Sequence, residues 1–256
     1  MHGAGNDFVM IDARGWSAAS AQPGDFSKLV GQIANRPDGI GCEGVIFVEN
    51  TSRAGCDFRM RFFNPDGSEA ELCGNGARCV AAFAYAIGAA KARTMRFDTL
   101  AGEIGAEVIS DDLVRIAMPE PKDLRENFVN SGVPHAIVPV DDLDAAEVEK
   151  EGRRIRYSSA FAPSGTNVDF VKYEAPSRVF IRTYERGVEA ETFACGTGSV
   201  AAAVVGVAQY RMRFPVEVVT ARGCHLVIDG EIAGGVFRGI TLTGPVKTVF
   251  KGIWRF

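Results

Sequence analysis

A chain of 256 residues, 46% hydrophobic and 23% charged, has the make-up of one large globular domain or two of ordinary size. A formal net charge of −4, no basic stripe, and only two Trp and five Tyr exclude a nucleic-acid surface. No apolar run reaches the roughly 18–20 residues of a membrane span, and the opening Met1-His2-Gly3-Ala4-Gly5-Asn6-Asp7 lacks the charged-then-apolar order of a signal peptide. A cytoplasmic protein with reduced thiols is therefore expected. Its six cysteines (42, 56, 73, 79, 195 and 224) form no C-x-x-C pair, and its three His (2, 135 and 225) complete no zinc pattern. Neither a metal nor a cofactor is expected.

Taken in order, Phe8–Asp12 reads as a short strand after a glycine-rich turn. Asn6 and Asp7 in that turn either face a cleft or satisfy their own backbone. Asp25–Asn35 has helical spacing with Asp25 as N-cap. Val45–Val48 and Asp57–Phe63 read as strands. The tight turn Asn64-Pro65-Asp66-Gly67-Ser68 leads to Cys73-Gly74-Asn75-Gly76 and an apolar helix that ends near Gly88. Strands are expected at Thr94–Thr99, Ile104–Ile109 and Leu113–Met118, with Gly102, Gly105, Gly223 and Gly230 at sharp turns, and Pro119-Glu120-Pro121 as a linker.

The second half repeats this order. A strand at Ala136–Val140 precedes a helix from Asp142 to about Arg154 and strands at Asn167–Tyr173 and Arg178–Tyr184. The turn Glu185-Arg186-Gly187 follows, and then Cys195-Gly196-Thr197-Gly198 opens an apolar helix that Pro215 stops. Strands at Val216–Thr220, His225–Ile228 and Gly235–Thr243 close the repeat, with a last strand near Lys247–Phe250 returning to the first half. The expected fold is α/β (α+β): two pseudo-symmetric halves, each a curved, mostly antiparallel, barrel-like sheet around a central helix, with the active site in the cleft between them. The expected boundaries are 1–118, joined by 246–256, and 119–245.

A helix start carries unpaired N–H groups and partial positive charge, which favour an anion there. A cysteine there becomes a better thiolate. One such cysteine is as well explained by helix capping. Two in matching contexts suit inversion at an amino-acid α-carbon, where one group takes the proton from one face and another returns it to the other. Cys42, Cys56, Cys79 and Cys224 lack this context and are expected in the core or as incidental residues. Arg78 is expected in a structural pair.

Several segments carry a resemblance to the diaminopimelate epimerase family. They are His2–Phe8, Gly39-Ile40-Gly41, Asn64–Ser68, Leu72–Arg78, Pro134-His135, Thr166-Asn167-Val168, Tyr184–Val188, Ala194–Gly198 and Leu242–Pro245. The resemblance implies conversion of LL- to meso-diaminopimelate by a cofactor-independent thiol pair, a homodimer, and a place in lysine and peptidoglycan precursor synthesis. It puts Cys73 and Cys195 on the two catalytic positions and Gly74, Asn75, Gly196 and Thr197 around the reacting carboxylate. Asn6, Asn64, Asn167 and Arg186 fall at the distal end of the substrate, and Glu185 and His135 in support. A distal carboxylate suits Arg, and a distal amine suits Asn or Glu acceptors.

The chain departs from the family at Val133, where Asn is common, and at Gly44, where some members have Gln. It also begins at the His-Gly motif, which places the expected start upstream. Proline racemases and hydroxyproline epimerases resemble the same pattern but have no use for a distal Arg, and phenazine-pathway isomerases lack the cysteine pair. An amino-acid-binding protein and a thiol redox sensor stand as readings from other classes.

Overall fold

The computed structural model describes residues 1–16 and 23–254. It divides into two compact units, one of residues 1–116 with 245–256 and one of residues 117–244. In the first unit β1 (His2–Gly3), β2 (Asn6–Asp12), β3 (Gly44–Glu49), β4 (Phe58–Phe63), β6 (Thr94–Thr99), β7 (Gly102–Ser110) and β8 (Leu113–Ala117) lie side by side in that order. The short β5 (Glu69–Ala70) lies on β4. Pairs β2–β3 and β4–β6 are parallel and the rest of this unit's pairs antiparallel.

The second unit repeats the plan strand for strand. β10 (Phe128–Asn130), β11 (Pro134–Pro139), β12 (Asn167–Glu174), β13 (Arg178–Glu185), β15 (Val216–Thr220), β16 (His225–Ala233) and β17 (Val236–Pro245) take the places of β1, β2, β3, β4, β6, β7 and β8. β14 (Ala190–Thr192) takes that of β5, with the same two parallel pairs, β11–β12 and β13–β15. An extra strand, β9 (Lys122–Arg125), pairs with β10.

Each sheet curves around one helix and carries another outside. The inner helix of the first unit, α2 (Gly74–Ala86), touches β1, β2, β3, β4 and β7; that of the second, α4 (Gly196–Gln209), touches β10 to β13, β15 and β16. The outer helix α1 (Pro23–Ala34) packs Phe26, Val30 and Ile33 on Val45, Phe47 and Phe63. Its counterpart α3 (Val148–Arg156) packs Val148 on Val168, Phe170 and Tyr184. Strands β3 and β12 are thus covered on both faces, which is why they read as continuous apolar runs. No helix among the described residues is long and apolar enough to cross a membrane.

The mixed α/β architecture with two repeated halves is the one expected, but among the described residues neither half closes: β1 does not pair with β8, nor β9 with β17. Several local expectations change. α1 is already helical at Pro23, so Asp25 lies inside it rather than at its cap. α3 starts at Val148 instead of Asp142, because Asp142 Oδ1 accepts from the amides of Asp144 and Ala145 and closes a local turn. Gly105 and Gly230 sit within strands, whereas Gly102 (φ +109°) opens β7 directly after the turn and Gly223 (φ +71°) lies in a turn. The expected strand at 247–250 reduces to one bridge, Lys247 with His2. α2 is not buried all round. Its Ala82, Phe83, Tyr85 and Ala86 border an apolar cavity of about 880 Å³ beside β2, whereas Gly198–Gly206 of α4 are all buried.

Candidate active site

The two cysteines occupy the same station in the two units. Each follows a two- or three-residue strand by three positions, adopts extended backbone (Cys73 φ −128°, ψ 121°; Cys195 φ −112°, ψ 115°) and precedes the first helical residue. The approach is clamped alike. Arg61 of β4 donates from Nε and Nη2 to both carboxylate oxygens of Glu69 at 2.8 Å, and Arg182 of β13 does the same to Glu191 at 2.8 and 2.7 Å. Bidentate pairs fix orientation as well as distance, so each clamp sets the strand that delivers a thiol.

The second glycine of each Cys-Gly-x-Gly has a packing reason. A Cβ on Gly76 would lie 2.8 Å from Ile46 Cδ1, and one on Gly198 would lie 2.6 Å from Asp169 Oδ1. These glycines let the helix start sit against the middle strand of the sheet.

Around Cys73 the support runs from a buried guanidinium through two amides to a carboxylate. Fully buried Arg78 donates from Nη1 to Gly74 O at 3.2 Å and from Nη2 to Asn75 Oδ1 at 2.7 Å. Asn75 Nδ2 donates to Asn6 Oδ1, and Asn6 Nδ2 donates to Glu43 Oε2 at 2.5 Å. The expected structural pair of Arg78 is therefore with Asn75, which it orients. Asn64 caps its own turn, with Nδ2 donating to Ser68 Oγ at 3.1 Å, and Gly67 turns with φ +83°. Gly44 opens β3 where a Cβ would lie 2.5 Å from the Phe62 ring, so that ring occupies the space a Gln would need.

Around Cys195 the support is charged. The thiol accepts from Gly198 N at 3.4 Å and lies 3.3 Å from Thr197 Oγ1. Thr197 Oγ1 lies 2.9 Å from His135 Nε2, and His135 Nδ1 lies 2.7 Å from Asp169 Oδ2. Thr183 donates to Asp169 Oδ1 at 2.7 Å. His135, Asp169 and Thr183 are all buried. Burial opposes charge on His135, but the carboxylate of Asp169 and the sulfur of Cys195 outweigh it and push the imidazole up to about 10.

Asn167 is locked by the backbone. Nδ2 donates to Pro134 O at 3.1 Å, and Oδ1 accepts from Arg186 N at 2.8 Å. Arg186 Nη1 donates to Ser164 O at 3.4 Å on a half-buried turn. Burial raises the carboxyl of neighbouring Glu185. Val133 holds its turn by accepting from Ser131 N at 3.2 Å, while Ser131 Oγ donates to Thr197 O at 2.8 Å. Burial pushes Cys42 up and Cys79 up to about 12, which keeps both as thiols.

Within the first unit, then, Asn6, Asn75 and the start of the Cys73 helix come together. Within the second, His135, Asn167, Thr197 and Cys195 do, with Glu185 at the end of β13 and Arg186 on the adjoining turn. Sequence reasoning missed Asp169, Thr183, Glu43 and the two clamps. Asp169 had left a signal: an acid two positions after Asn167, inside the buried run Val168-Asp169-Phe170-Val171.

The family model for diaminopimelate epimerase matches residues 1–123 and again 127–249, once for each half of the chain. The diaminopimelate epimerase of Aquifex aeolicus is 42% identical over 270 residues, covering 98% of this chain and 95% of that one. Among solved structures, a phenazine biosynthesis protein of the PhzF family from Bacillus anthracis aligns with TM-score 0.68 at 16% identity, covering 96% of this chain and 93% of that one. A probable proline racemase from Agrobacterium radiobacter K84 aligns with TM-score 0.65 at 17% identity, covering 95% and 88%. At these identities the two structures speak for the fold.

Proposed function

The chain belongs to the diaminopimelate epimerase family, and from that premise we propose that it converts LL-2,6-diaminopimelate to the meso form without a cofactor, Cys73 and Cys195 acting as the two bases. The observation that carries the proposal is the duplicated station itself: two thiols, each at the start of a buried helix, each delivered by a clamped strand.

The chemistry needs this duplication. An α-proton is weakly acidic, and the group that takes it is on the wrong face to return it inverted. One thiolate removes the proton, and the other thiol supplies one from the opposite face. In the reverse direction they exchange roles. The amides of Gly74-Asn75 and Gly196-Thr197 hold the α-carboxylate, where negative charge grows as the C–H bond breaks. His135 supports the second thiol through Thr197 and by its charge. Arg186 takes the distal carboxylate, its turn held by Asn167. Asn6, Asn64 and Glu185 take the distal amine. The distal set is not duplicated, so one centre is inverted while the other must have a fixed configuration. A homodimer in the cytoplasm, serving lysine and peptidoglycan precursor synthesis, belongs to the same reading; light scattering that gives a monomer would remove its first part.

The test is solvent deuterium entry at the α-carbon. Reduced protein in D2O should label diaminopimelate and leave proline unlabelled, and Cys73→Ala and Cys195→Ala should each stop inversion. Absence of label, or inversion that survives either substitution, defeats the proposal.

A further inference from the structure

The repeat allows each residue around one cysteine to be matched with its counterpart around the other. Phe8 pairs with Gly44 across β2–β3, and His135 pairs with Asn167 across β11–β12. Two positions further along the middle strand stand Ile46 and Asp169, each the neighbour that the second glycine of its helix start must clear. Across from these stand Phe62 and Thr183. The first unit therefore fills this layer with Phe8, Ile46 and Phe62, all buried, with the Phe8 and Phe62 rings edge to face at 6.0 Å. The second fills the same layer with His135, Asp169 and Thr183. Folding does not call for the polar version, since an apolar trio builds the same frame in the first unit. A buried charged pair is also not a general source of stability.

Resting on the proposed epimerase reading, we infer that Asp169 is a positioning residue for the reaction: its carboxylate fixes the His135 ring with Nδ1–H toward the sheet, so that Nε2 and the ring's positive charge face Thr197 and Cys195. Three observations carry this. Both Asp169 oxygens are committed, Oδ2 to His135 and Oδ1 to Thr183. The other edge of the imidazole is directed to the Thr197 hydroxyl that touches the Cys195 sulfur, with Asn167 Nδ2 farther off at 3.5 Å from Nε2. The assembly is sealed, with His135 and Asp169 at 0% exposure. The elevation of the imidazole agrees with it. The first unit fills the same layer with the apolar Phe8, Ile46 and Phe62, so the ring's path through Thr197 to the sulfur is particular to the Cys195 station. The proton stays on the His135–Asp169 pair throughout, and Asp169 acts only through the ring.

The other ionisable groups facing this pair are Cys195 just before α4, Glu185 from β13 and Tyr173 further along β12. Glu185 and Tyr173 stay in place in the variant proposed.

The experiment uses full-length protein labelled with 15N-histidine. With three His in the chain, His135 is identified by loss of its signal in His135→Gln. In the wild type at pH 8, Nδ1 should carry a proton shifted downfield by the carboxylate; a neutral ring with bare Nδ1 overturns the inference without any variant at Asp169. In Asp169→Asn, the His135 titration should move down by about 1–3 pH units. The turnover of diaminopimelate should fall about 100-fold with KM within a factor of about three, and the alkaline limb of its pH profile should move down with the ring. A folded Asp169→Asn that keeps wild-type turnover and limb overturns the inference. If the wild type shows the downfield proton but exchanges no deuterium into diaminopimelate, the epimerase reading fails and the positioning of His135 stands.

Discussion

The two helix starts share a backbone and differ in what lies beneath it. Below Cys73 the sheet offers Phe8, Ile46 and Phe62, and polarity enters from the side through Arg78, Asn75, Asn6 and Glu43. Below Cys195 the same three places hold His135, Asp169 and Thr183, in line with the thiol through Thr197. The duplicated frame fixes where each sulfur sits; the residues layered under it set the charge the sulfur meets. Two bases that must hold opposite protonation states at any instant are served by such an inequality. The largest effect that tests the comparison comes from the sulfurs. Cys73→Ala and Cys195→Ala should each lower inversion by about a thousandfold or more with little change in the urea midpoint. Equal loss from both shows that neither station suffices alone; a variant with a tenth of wild-type activity breaks the comparison.

Next comes exchange of the two layers. His135→Phe with Asp169→Ile writes two of the first unit's three places into the second and leaves Thr183 as it is. Replacing a buried ion pair with apolar groups of similar volume is often neutral or stabilising, so the double variant should stay folded with a thermal midpoint near that of the wild type while inversion falls by about 100-fold. Asp169→Ile alone should cost about 3–5 kcal/mol, because it leaves the imidazolium buried without its partner. A double variant less stable than the single one in urea unfolding would show that the polar layer is structural.

The extent to which this was legible in the sequence divides along the same line. The duplicated Cys-Gly-x-Gly, the apolar helix after it and the strand order around it were readable, because strand period and helix caps are local signals. The outer helix α3 was set too early, since Asp142 looks like a cap whether it opens a helix or closes a turn. β5, β9, β10 and β14 were missed because two to four residues carry no period. Of the candidate site, the residues beside the motifs were named, and of those beneath them His135 was but Asp169 and Thr183 were not. Asp169 lies 26 residues before Cys195 and meets it only through register: β11 beside β12, His135 beside Asn167. Glu69 and Glu191 carry no local signal, and only β5 and β14 bring them onto Arg61 and Arg182.

The pH dependence of stability should also separate the two layers. The imidazole of His135 is raised in the folded state from an ordinary 6.5 to about 10. A raised basic group stabilises the fold fully below its unfolded value and progressively less as pH rises toward its folded value. The wild type should therefore lose stability steadily from about pH 6.5 to about pH 10, with no further loss from this group above that. In the His135→Phe/Asp169→Ile variant this slope should flatten, since the first unit's apolar layer has nothing to titrate. Thermal unfolding followed across pH 6 to 10.5 reads both; equal slopes in the two proteins would remove His135 as the source.

The smallest effect falls on the feature the halves hold in common. Glu69→Gln and Glu191→Gln each convert a bidentate ion pair to a weaker contact at a partly exposed site, where the side chains are 25% and 24% exposed. Such a pair contributes about 1 kcal/mol or less, so the urea midpoints should fall slightly and by similar amounts. The functional loss should be a few-fold in turnover for both, because each clamp only steadies the strand that delivers its cysteine. If the clamps are equivalent parts of a duplicated frame, the two variants should match in both measurements even though the chemistry around Cys73 and Cys195 differs. A large loss from one and none from the other would mean that the frame, and not only the layer beneath it, has diverged.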